Sequence, residues 1–463
     1  MVVDRSGVDG SAHEADPCGL DWIRERSVET REREEELRFA NEAWRSLAKD
    51  LVQRVPFYES HYGDAGAFLQ DVESLEDLPQ LPFVDKADTR RSQEEAPPYG
   101  LHLGVDKKEV KKVFQTSGSS GAPSLIALTA ADQKTWTTIG ARSYFGAGVH
   151  PHSSVLATFG AGPYVAGHTH QTLAEIGAGV VPVAPGDTER VVSAIRQGLV
   201  DTLLATPSFA LHLAQVLEDQ VLGGARNSLR LVVVGGEPGG GIPAIRERLE
   251  SGLGAHVREA SGIGDVSPSL YGECFAQTGM HFGGQGLVWV EVIDPVSGSP
   301  IEIRSGARGE LVYTTLVREA MPMVRFRSGD IAEVVDTSCV CGRTSFKIRI
   351  HGRSDDMFIV RGVNVYPSAV QAVIARFHPA VTGRSRVVLP PGASVSVEPP
   401  VLVEVEVGWD RPDQDLLHER IESAIKAKLN FRASVTFRSP AEFGEAGYKT
   451  SPTNRIANNE GDA

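Results

Sequence analysis

The sequence predicts an α/β protein: a large N-terminal domain of mixed and parallel sheet with helices and a β-rich subdomain, followed by a small α+β domain. Three observations carry this. Between about residues 110 and 290, short apolar runs alternate with helical stretches, the rhythm of buried parallel strands covered by helices. From 288 to 350 the pattern turns to strand after strand. After Gly352 a strand, a glycine turn and an amphipathic helix follow. With 463 residues the chain is also too long for one compact core.

The elements come in order. Residues 1–30 are polar, weakly patterned and expected to be only partly ordered. In 31–55, Leu37, Phe39, Ala43, Trp44, Leu47 and Leu51 have helical spacing, and Pro56 is expected to end that pattern. SSVLATF, GVVPVA, VDTLLAT and LRLVVVGG read as strands, with THQTLAEIGA as a helix among them. VWVEVIDP, GELVYTTL, IAEVVD and FKIRIHG form the β-rich stretch of about 288–350. PSAVQAVIARF and LLHERIESAIKAKL are helices around the strand VLVEVEV. The large domain is therefore expected over 31–353 and the small one over 354–463, with the boundary near 353–357. The tail after about 440 is rich in Gly, Pro and Asn and expected to be mobile.

Composition narrows the function. Sixty acidic against 46 basic residues give a formal net charge of −14, which argues against nucleic acid or an anionic membrane as the main partner. No apolar run is long enough to span a bilayer and the acidic N-terminus is no secretory signal, so a cytoplasmic protein is expected. Four cysteines in such a chain are not a disulfide framework.

Three segments and one constellation can carry chemistry. In Thr116-Ser117-Gly118-Ser119-Ser120-Gly121, glycines let backbone N–H groups turn inward and hydroxyls add donors, so the loop can cradle phosphates. It lacks the Lys-Ser/Thr end of a Walker A loop, and on spacing alone a polar surface hairpin is an equal reading. Asp330, after a glycine turn with Arg325 and Arg327 upstream, can accept hydrogen bonds from a ribose diol; a solvated turn aspartate is the commoner case. The run from Gly352 to Pro367 reads by itself as a domain linker. Cys274 and His281, with Cys339 and Cys341 on a tight glycine turn, suit a closed tetrahedral zinc site, against four unligated residues in a turn-rich lobe. Cys18 has no evident partner.

Together the segments resemble the adenylate-forming (ANL) superfamily, and specifically its phenylacetate–CoA ligase branch. The resemblance rests on LVQRVPFYESHYGDAG, SLEDLPQLPFVDKAD, TSGSSGAP, VVVGGEP, GELVYTTLVREAMPMVRFRSGD and CVCGRTSFKIRIHGRSDDMFIVRGVNVYPS, in that order, from about residue 44 to 375. It implies an ANL-type fold in which ATP and a carboxylate bind between the two domains. The carboxylate attacks the α-phosphate, pyrophosphate leaves, and the acyl group passes to a thiol.

Residue by residue, the resemblance implies the following. The 116–121 loop holds the β- and γ-phosphates, with Ser124 where many members carry a lysine. Gly235, Gly236, Glu237 and Pro238 line adenine, Gly236 also walling the acyl pocket. Ser261-Gly262-Ile263-Gly264-Asp265 matches a segment that usually reads Tyr-Gly-x-Ser/Thr-Glu. Asp265 is then the magnesium ligand, and the missing ring removes a stacking contact worth about 1 kcal/mol. Asp330 binds the ribose, Arg353 approaches the nucleotide, and Asp355 is the hinge on which the C-terminal lid domain swings. Lys449 is the adenylation lysine, a cation for charge developing on the α-phosphate. Phe159, Ala161, Tyr164 and His168 fall on the acyl pocket. There His168 can recognise a hydroxyl or amino substituent, or else face solvent at a helix start. Some members of the branch carry a Cys₃His zinc. The expected substrate is an aromatic acid, a substituted benzoate or arylacetate. The expected cofactors are ATP, Mg²⁺, coenzyme A and a structural Zn²⁺. Three matters stay open: a separate carrier protein, amine or hydroxyl as acceptor; a catalytically degenerate nucleotide-binding protein; and a homodimer.

Overall fold

The computed structural model describes residues 23–64, 69–116, 124–160, 162–183, 187–220, 227–361, 363–389, 396–407, 414–443 and 453–455. Cys18, residues 117–121, Ala161 and Lys449 lie outside the described residues.

One twelve-stranded sheet organises residues up to Arg353. Its parallel part runs Gly179–Pro182, Ser154–Ala157, Thr202–Ala205, Leu231–Gly235 and His256–Ile263. Thr202–Ala205 is buried at every position, because helices such as Pro207–Gln220 and Pro243–Leu253 cover the sheet. Ser267–Glu273 then reverses direction, and Met280–Phe282, Lys347–Arg353, Phe326–Asp336, Arg308–Thr315, Val288–Ile293 and Pro300–Ile301 continue antiparallel. The β-rich stretch is thus hydrogen-bonded into the same sheet as the parallel strands, its inward residues sharing a core with the N-terminal helices through Trp44, Leu51, Tyr58, Tyr313, Phe326 and Ile348.

Pro56 does end one helical run, Leu51–Arg54, but it also opens the helix Pro56–Asp64. Its fixed φ and missing N–H suit a first helical position. The short helix Arg26–Glu29 lies within the segment expected to be only partly ordered, yet Glu29 is buried against Arg343 at 2.6 Å.

From Phe358 onward the chain has its own core of Phe358, Val370, Ile374, Val403, Ile421 and Phe431. Its mixed four-stranded sheet runs Ala433–Arg438, Val401–Val407, Val381–Leu389, Thr453–Arg455. Among the described residues, no helix is long and apolar enough to cross a membrane.

Candidate active site and metal centre

Open α/β sheets bind ligands beyond the carboxyl ends of their strands, and two of the predicted segments lie there, at the ends of neighbouring strands. Residues 235–238 leave the end of Leu231–Gly235. A side chain at Gly235 would collide with the Ala260 carbonyl, and Gly236 holds φ +90°, so this turn requires glycine twice. Glu237 accepts the Ser208 backbone N–H at 2.7 Å, setting a carboxylate at the start of helix Pro207–Gln220.

The second segment closes the turn between His256–Ile263 and Ser267–Glu273. A Cβ on Gly264 would stand 3.0 Å from Val165 and 3.4 Å from the Thr116 methyl, so the base of the 116–121 loop abuts this turn. Asp265 is 2% exposed. Its Oδ2 lies 3.7 Å from Lys86 Nζ, and its carbonyl accepts from Arg318. Among the described residues, Asp265 Oδ1 and Thr116 Oγ1 are buried without a hydrogen-bond partner. Buried oxygens are normally satisfied, so an unpartnered carboxylate oxygen here fits a hard cation such as Mg²⁺.

Lys86 and Arg318 were not singled out from the sequence. Lys86 opens a helix, Lys86–Glu95, whose capping box of Asp85 and Asp88 is legible in DKAD; nothing in the spacing brings it to Asp265. Arg318 lies 5.3 Å over the Trp136 ring. Burial pulls its pKa below the ordinary arginine value, while Asp132 and Asp265 act to raise it.

The third segment forms an ion triad. Asp330 sits inside the strand Phe326–Asp336, opposite Arg353 on the neighbouring strand, and is therefore no solvated turn residue. Arg353 reaches Asp330 at 3.2 Å and forks onto both oxygens of Asp355 at 2.8 Å each. Burial opposes its charge, but Asp355, Asp330 and Asp356 outweigh that and hold its pKa above the usual arginine value. Asp330 and Asp355 thus share one guanidinium.

Of the residues expected at the acyl pocket, Phe159 is buried and Tyr164 is 42% exposed, bridged to Gln115. His168 does not face solvent, being only 1% exposed. Its ring stands edge-on to Trp136 and Phe114 at 5.5 and 6.0 Å. Thr137 Oγ1 donates to the Gln133 carbonyl, so it accepts from His168 Nε2 at 3.0 Å. Burial, aided by Lys112, pushes the His168 pKa down to about 4, leaving the ring neutral with Nδ1 as an acceptor.

The predicted metal quartet comes together. Cys274 ends one strand, His281 lies on the next, and Cys339 and Cys341 occupy the turn before Lys347–Arg353. Their four donor atoms lie within 4.8 Å of one another. Cys274 Sγ is 3.6 Å from Cys339 Sγ, and Cys341 Sγ is 3.4 Å from His281 Nε2. Zinc–ligand lengths of about 2.0–2.3 Å put tetrahedral donors roughly 3.4–3.8 Å apart, so the donor set fits. Hydrogen bonding from the Cys274 thiol holds Cys339 and Cys341 below the ordinary thiol pKa, toward the thiolate form a metal needs. His281 Nδ1 lies 3.3 Å from the Ser345 carbonyl, the outer contact that orients a ligating imidazole.

Comparison with known proteins agrees with this geometry. No protein-family model matches the chain. Over 432 residues it is 34% identical to the phenylacetate–coenzyme A ligase of Thermus thermophilus, covering 90% of this chain and 95% of that one. Among solved structures it resembles 2-hydroxyisobutyryl-CoA ligase in the postadenylation state with R3-HIB-AMP, at TM-score 0.85 and 26% identity over 98% and 96% of the two chains. Against that ligase in the thioesterification state, with 2-HIB-AMP and CoA, the TM-score is 0.69, again at 26% identity, over 97% and 96% of the chains. At 34% identity over nine-tenths of its length, the chain belongs to the phenylacetate–coenzyme A ligase family of AMP-forming acid–thiol ligases.

Proposed function

We propose that this chain activates an aromatic carboxylic acid, a substituted benzoate or arylacetate, to its acyl-adenylate and passes the acyl group to the thiol of coenzyme A. The observation that carries the reading is Asp265, with one buried carboxylate oxygen unpartnered and the other facing Lys86. Asp265 would hold Mg²⁺, which when bound screens the phosphate charge. Lys86 supplies a cation on the side where the 116–121 loop is followed by Ser124 in place of lysine. Asp330 would accept from the ribose hydroxyls while Arg353 keeps its carboxylate in register. Residues 235–238 would form the nucleotide wall, and Phe159 and Tyr164 the aryl contact.

Lys449 is proposed as the adenylation lysine. In support, Thr453–Arg455 pairs with Val381–Leu389, which anchors the chain a few residues beyond it. Asp355 is proposed as the hinge between residues 31–353 and 354–463; the closer likeness to a postadenylation state than to a thioesterification state supports the adenylating arrangement. The cysteine–histidine quartet is proposed to hold one structural Zn²⁺, since all four tetrahedral places are filled by protein. A supply of ATP and coenzyme A makes the cytoplasm its proposed location.

Assaying the two half-reactions of Lys449→Ala separately tests the reading. Adenylate formation should fall by at least about 10²-fold, whereas thioester formation from supplied acyl-adenylate and coenzyme A should stay within a few-fold. Equal loss in both halves, or in neither, contradicts the role given to Lys449. Wild-type transfer to a carrier protein but not to coenzyme A would overturn the acceptor.

A further inference from the structure

Residues 235–238 are only half of a longer turn; its far half, Gly239-Gly240-Gly241, leads into helix Pro243–Leu253. Three consecutive glycines have the largest conformational freedom a chain can offer, yet this stretch is gripped from two sides. The Glu259 carboxyl faces the backbone of Gly241. The Gly240 carbonyl accepts from Arg246 Nε at 3.0 Å and Nη2 at 2.8 Å. The same Nη2 lies 2.7 Å from Glu273 Oε2, which accepts the backbone N–H of Glu259 at 3.1 Å.

The contacts run as a chain from the Gly240 carbonyl through Arg246 and Glu273 to the backbone of Glu259, whose carboxyl packs against Gly241. The glycines make room for it. A Cβ on Gly241 would lie 2.7 Å from Glu259 Oε2, and one on Gly240 would lie 2.6 Å from Val234 Cγ2 and 3.1 Å from Glu259 Cβ and Cγ. Glu259 is the register partner of Val234, one residue before the wall begins at Gly235. Charged hydrogen bonds are about twice as strong as neutral ones, and a misplacement of about 1 Å at a binding wall can cost 10²-fold.

We propose that Arg246 and Glu259 are positioning residues for nucleotide binding: they clamp the 239–241 turn and thereby fix residues 235–238 against the nucleotide. This rests on residues 235–238 forming the nucleotide wall. Both act through the backbone of the turn, so the effect falls first on nucleotide affinity and reaches the acid only weakly, through Gly236.

The test compares Arg246→Met, Arg246→Lys and Glu259→Gln with the wild type in ATP calorimetry, steady-state kinetics and thermal midpoint. The clamp predicts that Arg246→Met weakens ATP binding about tenfold or more, the usual scale for lost charge-assisted hydrogen bonds. KM for the acid should rise by less than ATP affinity falls, and Arg246→Lys should recover part of the loss. Glu259→Gln, which keeps the side chain's shape, should shift ATP affinity the same way by less. ATP affinity unchanged within twofold in the Lys and Gln variants, which keep the packing, overturns the proposal. So does an equal rise in both KM values that follows the loss of thermal midpoint. A wild-type protein that binds ATP but activates no acid would sink the proposed function, while the calorimetry still decides on the clamp.

Discussion

Asp265 presents one carboxylate oxygen to Lys86 and leaves the other buried without a hydrogen-bond partner. Its backbone is held by Arg318 and its turn by Gly264 lying against Thr116, so the side chain is placed before any ligand arrives. His168 is a second side chain whose state is set by burial. Its pKa stands near 4 in the fold, against about 6.5 for an unperturbed histidine. The unfolded chain therefore takes up a proton there first as pH falls, and stability should drop between pH 6.5 and 4, by an amount on the order of 3 kcal/mol. His102, pushed to about 3 mainly by burial, adds a slope of the same sign. Urea midpoints of wild type and His168→Gln at pH 7.5 and 5 check this: the variant should lose less on acidification. Equal losses would contradict a neutral buried ring.

At the same scale, legibility followed sequence distance. The cysteine quartet stands in short motifs whose chemistry shows in residue type and spacing, whereas Asp265, Asp330 and Arg353 were singled out by the family resemblance of the segments around them. Lys86, Arg318, Arg246 and Glu259 owe their roles to partners brought together by the sheet, and their neighbours in the chain carry no such signal. Whether His168 faced in or out was likewise a question of packing, answered by Trp136 and Phe114.

Among the elements, the strands of the parallel region were readable because burial on both faces makes them continuous apolar runs. The joining of the β-rich stretch to that sheet was not, since periodicity records which face a residue takes and not which strand lies beside it. Pro56 shows the same limit: a helix stop and a helix start share one residue type. The cysteine turn is the element for which an ion is proposed. It joins Ser267–Glu273 to the segment before Lys347–Arg353, and Arg343 ties it to Glu29 at 2.6 Å, both side chains buried. Chelator-washed protein should retain near one zinc per chain by elemental analysis. Cys339→Ser should lose it and fall in thermal midpoint, because two strand ends lose their common anchor. Wild-type protein free of zinc yet equally stable would contradict a structural ion.

On the scale of the whole molecule, the large sheet and the C-terminal unit each have a core of their own. The large sheet offers the ends of its strands, and the C-terminal unit, with its own core, meets it where Arg353 bridges Asp330 and Asp355. That single guanidinium touches both the proposed ribose ligand and the proposed hinge, so rotation about Asp355 would be felt at the nucleotide. The central claim is that a carboxylate attacks ATP before any thiol is needed. Acid-dependent ATP–pyrophosphate exchange without coenzyme A, over substituted benzoates and arylacetates, tests it most directly. The account predicts exchange that requires both an aromatic acid and Mg²⁺; no exchange with any acid across the panel, from protein shown to bind ATP, would contradict it.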